Sequence, residues 1–119
     1  MANKLDSNCV FCKIVKGEIP STIVYKDDKV TAFKDLDPVA PVHILIVPNE
    51  HIESLKDCTA DQAEMIGYIL LVAAKIAKAQ GIEESGYRVI TNVGKDAGQS
   101  VLHMHFHLLG GRPLQFRNQ

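Results

Sequence analysis

The stretch from Val101 to Leu109, Val-Leu-His-Met-His-Phe-His-Leu-Leu, constrains this chain more than any other. It alternates imidazole and apolar side chains with a period of two, the repeat of a β-strand. The spacing predicts a strand over residues 101–109, with His103, His105 and His107 on one face and Leu102, Met104, Phe106 and Leu108 on the other. One face would pack a core while the other does chemistry. Alternate side chains on a strand start about 6.6 Å apart, so a small anion or one bound atom fits between neighbours.

Neutral imidazole serves as nucleophile, metal ligand or proton carrier near pH 7, with the role set by what each ring nitrogen contacts. A single histidine on a strand is more commonly a solvated polar residue. Three of the chain's five histidines on one strand face are better explained by a site. Two chemistries remain open on this motif alone. Imidazoles can hold a catalytic metal that keeps a position free for water. Alternatively, the preceding Gly98-Gln99-Ser100 offers flexible backbone, an amide and a hydroxyl for a phosphate group.

The rest of the chain reads as a frame for that strand. Strand composition at Thr22–Tyr25 and Lys29–Phe33, separated by Asp27-Asp28, predicts a hairpin, with Asp35 just past its end. His43–Val47 is a short β-branched run stopped by Pro48, and Tyr87–Asn92 is a further strand. Thr59 and Gln62 fit a capping box, and Ile66, Ile69, Leu70, Ala73 and Ala77 recur at helical spacing, which predicts a helix over about 60–80. Cys9–Gly17 predicts a short helix or knuckle. Five strands, one long helix and one short one give an α+β domain with a mostly antiparallel sheet. At 119 residues the chain holds one core, so residues 1–119 are expected to form a single domain.

Charge and hydropathy narrow the partners. With 13 basic and 14 acidic side chains and no long block of either sign, no broad footprint for nucleic acid is expected. The apolar run Ile69–Ala74 is far too short to span a membrane, and the N-terminus lacks a secretory pattern, so a reducing cytoplasm is the expected setting. There, Cys9-x-x-Cys12 reads as a metal or redox pair and Cys58 as a spare thiol.

Gly98-Gln99-Ser100-Val101-x-His103-x-His105-x-His107-Leu108-Leu109 resembles the signature of the histidine triad, or HIT, family. The likeness extends through Phe11-Cys12-Lys13-Ile14-Val15-x-Gly17-Glu18-Ile19-Pro20, Ala32-Phe33-x-Asp35, His43-x-Leu45-x-Val47-Pro48 and Asn92-x-Gly94. Within the family it resembles the HINT branch of nucleoside phosphoramidases. The resemblance implies that His105 attacks the α-phosphorus of a purine nucleoside phosphoramidate, forming a nucleotidyl-histidine that water hydrolyses to the monophosphate. It further implies that His43 supports the protonation state of His105, that His107 and Gln99 contact the phosphate, and that Ser100 lies near the leaving group. Asn92 and Gly98 would border the phosphate and ribose, Asp35 would hold the ribose hydroxyls, and Ile14 and Leu36 would line the base slot. Cys9, Cys12, His51 and His103 match the ligands of a structural Zn2+ in some relatives, a metal the chemical step does not require. A homodimer is also implied, with Phe116 a candidate contact across subunits. Dinucleoside polyphosphate hydrolysis is the alternative within the family, and a nucleotide-binding regulatory or scaffold module the alternative outside enzymes.

Overall fold

The structure, a computed structural model, describes residues 8–115. Phe116, the expected contact across subunits, lies outside them. A short helix α1 (Val10–Lys16) is followed by strands β1 (Ile23–Lys26), β2 (Val30–Lys34) and β3 (Val42–Pro48), the long helix α2 (Ala63–Ala79), β4 (Tyr87–Ile90) and β5 (Phe106–Gly110). The five strands form one sheet in the order β1-β2-β3-β5-β4, and every neighbouring pair is antiparallel. The expected α+β class, strand number and helix pair are all present.

Local chemistry explains the boundaries. Asp27 closes the β1–β2 turn by accepting the backbone N–H groups of Lys29 and Val30 through Oδ1. Thr59 and Gln62 form the expected capping box, which opens a single 3-10 turn before α2 proper begins. Gly17 ends α1 at φ +80°, a left-handed geometry that costs a residue with a Cβ about 1–2 kcal/mol.

Helices cover the sheet unequally. Ile69, Val72, Ala73, Ile76 and Ala77 of α2 pack on Val30, Ala32, Ile44, Ile46, Phe106 and Leu108. Each large aliphatic side chain buried there contributes about 1.5–3 kcal/mol. The opposite face packs Phe33, Leu45 and Val47 against α1, through Phe11, Cys12, Ile14 and Val15. Central β3 therefore needs apolar residues on both faces, which is why its sequence runs apolar without alternating.

The histidine run departs from its expected geometry. Only its end is strand: β5 starts at Phe106, and residues 101–105 bend out of the ladder. Their polar groups find partners elsewhere. Met104 N–H donates to the carbonyl of Ile52, and a ring nitrogen of His105 bonds the carbonyl of His103, two residues back. Met104, Phe106 and Leu108 still face the α2 core as expected, but Leu102 is 57% exposed. His103, His105 and His107 therefore do not share one flat strand face.

Candidate functional site

Two side-chain clusters form where α1 meets the β3–β5 pair. The first brings together Cys9 and Cys12 of the α1 knuckle, His51 just after β3, and His103 from the bend, with their ligand atoms all within 4.8 Å of one another. Cys9 caps α1, its Sγ accepting the N–H of Cys12. His103 Nδ1 lies 3.4 Å from Cys9 Sγ and 3.5 Å from Cys12 Sγ, and His51 Nδ1 lies 3.3 Å from Cys12 Sγ. A tetrahedral zinc with ordinary Zn–S and Zn–N bonds has N–S edges of about 3.6 Å, so the cluster has the dimensions of such a site. His103 Nε2–H donates to the carbonyl of Pro48 at 2.9 Å, which leaves the Nδ1 lone pair aimed at the thiols.

The second cluster joins Asp35, His43 and His107. The β3–β5 register sets Leu45 opposite His107 and His43 opposite Leu109, so the two histidines are diagonal neighbours on one face. His43 Nε2 lies 2.9 Å from His107 Nδ1 and 3.4 Å from Asp35 Oδ2. His43 thus hydrogen-bonds His107, the ring that stands next to His105.

His105 touches both clusters. Its Nδ1–H donates to the carbonyl of His103 at 2.7 Å, so the neutral ring keeps its lone pair on Nε2. The ring centroid is 5.2 Å from that of His107, and Phe11 packs edge-on against it at 5.0 Å.

A cavity of about 280 Å³ opens beside His105. It is bordered by six of the expected residues: Ile14, Asp35, Leu36, Ser100, His105 and His107. Leu36 is 94% exposed, so its side chain is a free rim rather than core. Asn92 and Gly98 do not border the cavity, and neither does Gln99, whose amide is consumed within the chain. Gln99 Oε1 accepts the N–H of Gly94, and its Nε2 donates to the carbonyls of Glu53 and Val101. Gln99 therefore braces the loop that carries Ser100, and Gly98, at φ +81°, supplies the backbone turn. The apolar walls include Phe33, Leu45, Ile19 and Val101, which sequence reasoning missed. Phe33 and Leu45 carry the same signal as any buried strand residue, so no pattern separated them from core. A larger recess of about 450 Å³ near the start of α2 is lined by Asp28, Lys29, Glu50, Asp61, Glu64 and Tyr68, with no histidine or cysteine on its wall.

The HIT domain family matches residues 16–114 of this chain. The chain belongs to the HIT family. This HIT protein is similar to the purine nucleoside phosphoramidase of Escherichia coli K12, 54% identical over 105 residues that cover 88% of each chain. It is also similar to the 14 kDa zinc-binding protein of Zea mays, 49% identical over 113 residues, which cover 93% of this chain and 88% of the maize protein. Among solved structures, a HIT family hydrolase from Legionella pneumophila is 46% identical with a TM-score of 0.92, covering 94% of this chain and 100% of that one.

Burial sets the protonation of the HIT histidines. It pushes His107 down to about 4, helped by the neighbouring His105 and His43 and opposed by Asp35. It also lowers His43, against the pull of Asp35 and Asp37. His103 is pushed to about 4 by burial, with the Pro48 carbonyl opposing and His51 and His105 adding to the shift. These three rings are neutral at pH 7, and a neutral imidazole has one donor and one acceptor nitrogen. Cys58 stands apart, its thiol bonded to the carbonyl of Ser54 and raised by burial and then by Asp57 and Glu50.

Proposed function

We propose that this HIT-family hydrolase is a purine nucleoside phosphoramidase that cleaves the P–N bond of a nucleoside 5′-phosphoramidate to give a nucleoside monophosphate and an amine. One observation carries the reading: His105 bonds a backbone carbonyl through Nδ1–H and so keeps a lone pair on Nε2 beside a cavity bordered by Asp35 and His107. In the first step Nε2 bonds to phosphorus, the P–N bond breaks, and the amine leaves with its electron pair, taking up a proton from solvent that the second step returns. Water then attacks phosphorus, the P–Nε2 bond breaks, and a proton is released with the monophosphate. This divides one difficult displacement into two. His107 donates to the phosphoryl oxygens, Ser100 hydrogen-bonds near the leaving amine, Asp35 accepts from ribose hydroxyls, and Ile14 and Leu36 flank the base. Asn92 stands beside the phosphate and ribose, and Gly98 and Gln99 act by shaping the loop that carries Ser100.

The similarity to a purine nucleoside phosphoramidase over most of both chains supports this substrate class. Turnover of adenosine and guanosine phosphoramidates by the wild type and by His105→Ala tests it, with a dinucleoside polyphosphate as the competing substrate. Equal turnover by the two proteins removes the covalent mechanism. Tight nucleotide binding without turnover of either substrate would make the chain a binding module.

We also infer that Cys9, Cys12, His51 and His103 hold a structural Zn2+. The matching tetrahedral edges, the His103 lone pair set by Pro48 and the maize relative's description as zinc-binding support this. Four protein ligands leave no open position, so the ion would cross-link α1 to the end of β3 and the histidine bend rather than take part in chemistry. Thiols held for such a site suit a reducing cytoplasm. A homodimer is supported by the outer edge of β4 and by the exposed Leu70 and Leu71 of α2. No helix among the described residues is long and apolar enough to cross a membrane.

A further inference from the structure

We propose that the backbone amide of Val39, anchored by Arg112, sets the tautomers of His43 and His107 and thereby makes His107 a hydrogen-bond donor toward the phosphoryl group. Val39 and Arg112 are positioning residues. The proposal rests on the phosphoramidase reading only for the identity of the group that His107 meets.

The chain of bonds allows one direction. Val39 N–H lies 3.1 Å from His43 Nδ1, and a backbone amide can only donate. Nδ1 is therefore the acceptor, and the single proton of neutral His43 sits on Nε2. That nitrogen faces two acceptors, His107 Nδ1 at 2.9 Å and Asp35 Oδ2 at 3.4 Å. His107 Nδ1 accepts in turn, so the proton of neutral His107 is on Nε2, and its ring borders the cavity next to His105. Without the Val39 amide, His43 is free to carry its proton on Nδ1 and accept from His107 through Nε2. His107 would then hold its proton on Nδ1 and turn a lone pair toward an anionic oxygen, replacing a hydrogen bond with repulsion.

Val39 lies in the connection between β2 and β3, between Pro38 and Pro41, and its side chain is exposed. What holds it comes from beyond the other end of the histidine strand. Arg112 Nη2 donates to the carbonyl of Val39 at 2.6 Å, and its Nη1 to the carbonyl of Pro113 at 2.9 Å. A charged donor makes the first bond stronger than a neutral one. Arg112 reaches the loop because β5 is followed by a turn at Gly111, where φ is +97° and an added Cβ would sit 2.8 Å from Pro41 Cβ. The circuit closes on itself: β5 carries His107, its C-terminal extension grips Val39, Val39 orients His43, and His43 orients His107.

The decisive measurement is ring-15N histidine NMR of the full protein at pH 7, which locates each imidazole proton without substrate. The expected spectrum has His43 and His107 protonated on Nε2 and His105 on Nδ1. Arg112→Ala should give mixed tautomers at His43 and His107, leave His105 unchanged, and lower kcat on a nucleoside phosphoramidate about 10-fold with KM within about two-fold, the scale of lost ligand-orienting contacts. Arg112→Lys, which keeps a cationic donor, should recover most of both. Val39→Pro deletes the N–H and should lower kcat about 100-fold. A wild-type His107 protonated on Nδ1 overturns the proposal, as does an Arg112→Ala protein that loses kcat with its tautomers unchanged. If Val39→Pro does not fold, the wild-type spectrum and the Arg112 pair still decide. The expected tautomers in a protein that turns over no phosphoramidate would refute the substrate reading and leave this arrangement standing.

Discussion

Cys9, Cys12, His51 and His103 on one side of His105, and Asp35, His43 and His107 on the other, place potential ligand atoms at the same close range, within 4.8 Å. They differ in where the protons are. In the first cluster the Pro48 carbonyl takes the ring proton of His103 outward, leaving the Nδ1 lone pair facing the sulfurs of Cys9 and Cys12. That is the arrangement from which we infer a bound cation. In the second, Val39 takes the lone pair of His43 outward, and the proton left on Nε2 fills the space between His43, His107 and Asp35. That cluster is already linked by hydrogen bonds, which in our proposal orient a donor. Proximity of histidines and acids or thiols is thus not enough to identify a metal site; the backbone groups behind the rings decide it.

The sharpest way to break this contrast is at His105, which bonds the first cluster's backbone and stands beside the second's ring. His105→Ala should reduce turnover by about 10³-fold or more, since no other group replaces the nucleophile, while thermal unfolding shifts little. A comparable loss of stability and activity would mean that His105 is part of the frame. Next, Cys12→Ser should lower Tm by about 10 °C or more and abolish stoichiometric zinc, because metal binding is folding free energy. Elemental analysis of chelator-free protein together with calorimetry reads this, and a metal-free wild type of normal stability would end the division between the clusters. Asp35→Asn belongs wholly to the second cluster. It should lower kcat/KM about 10-fold, through weaker ribose binding and a looser His43, with zinc content unchanged.

The smallest effect is on pH dependence. His107 falls from 6.5 to about 4 on folding, so between those values the unfolded chain binds more protons than the folded one. Its stabilising contribution is complete above about pH 6.5 and is lost as pH falls through 4. Denaturant midpoints should therefore drop from pH 7 to pH 5, and His107→Asn should weaken that slope. An identical slope in the variant would show that the second cluster is not the acid-sensitive one.

Much of this could be read from the chain alone. Period-two alternation marked the histidine run, the capping box at Thr59 and Gln62 marked the start of α2, and composition placed five strands beside two helices. Spacing nominated the cysteine pair, and the resemblance to the HIT signature nominated His105 and Asp35. The same alternation overextended β5 into residues 101–105 and put Leu102 in the core, since periodicity records where side chains would point in a strand and not whether the backbone finds ladder partners. What only the tertiary structure decided is which backbone group each histidine ring meets. Carbonyls of Pro48 and His103 and the amide of Val39 reach the rings from distant or bent backbone, and each commits one ring nitrogen, leaving a lone pair on the other nitrogen of His103 and His105 and a proton on that of His43. Backbone donors and acceptors are common to nearly every residue type, so nothing in the amino-acid letters distinguishes the ones that perform this task.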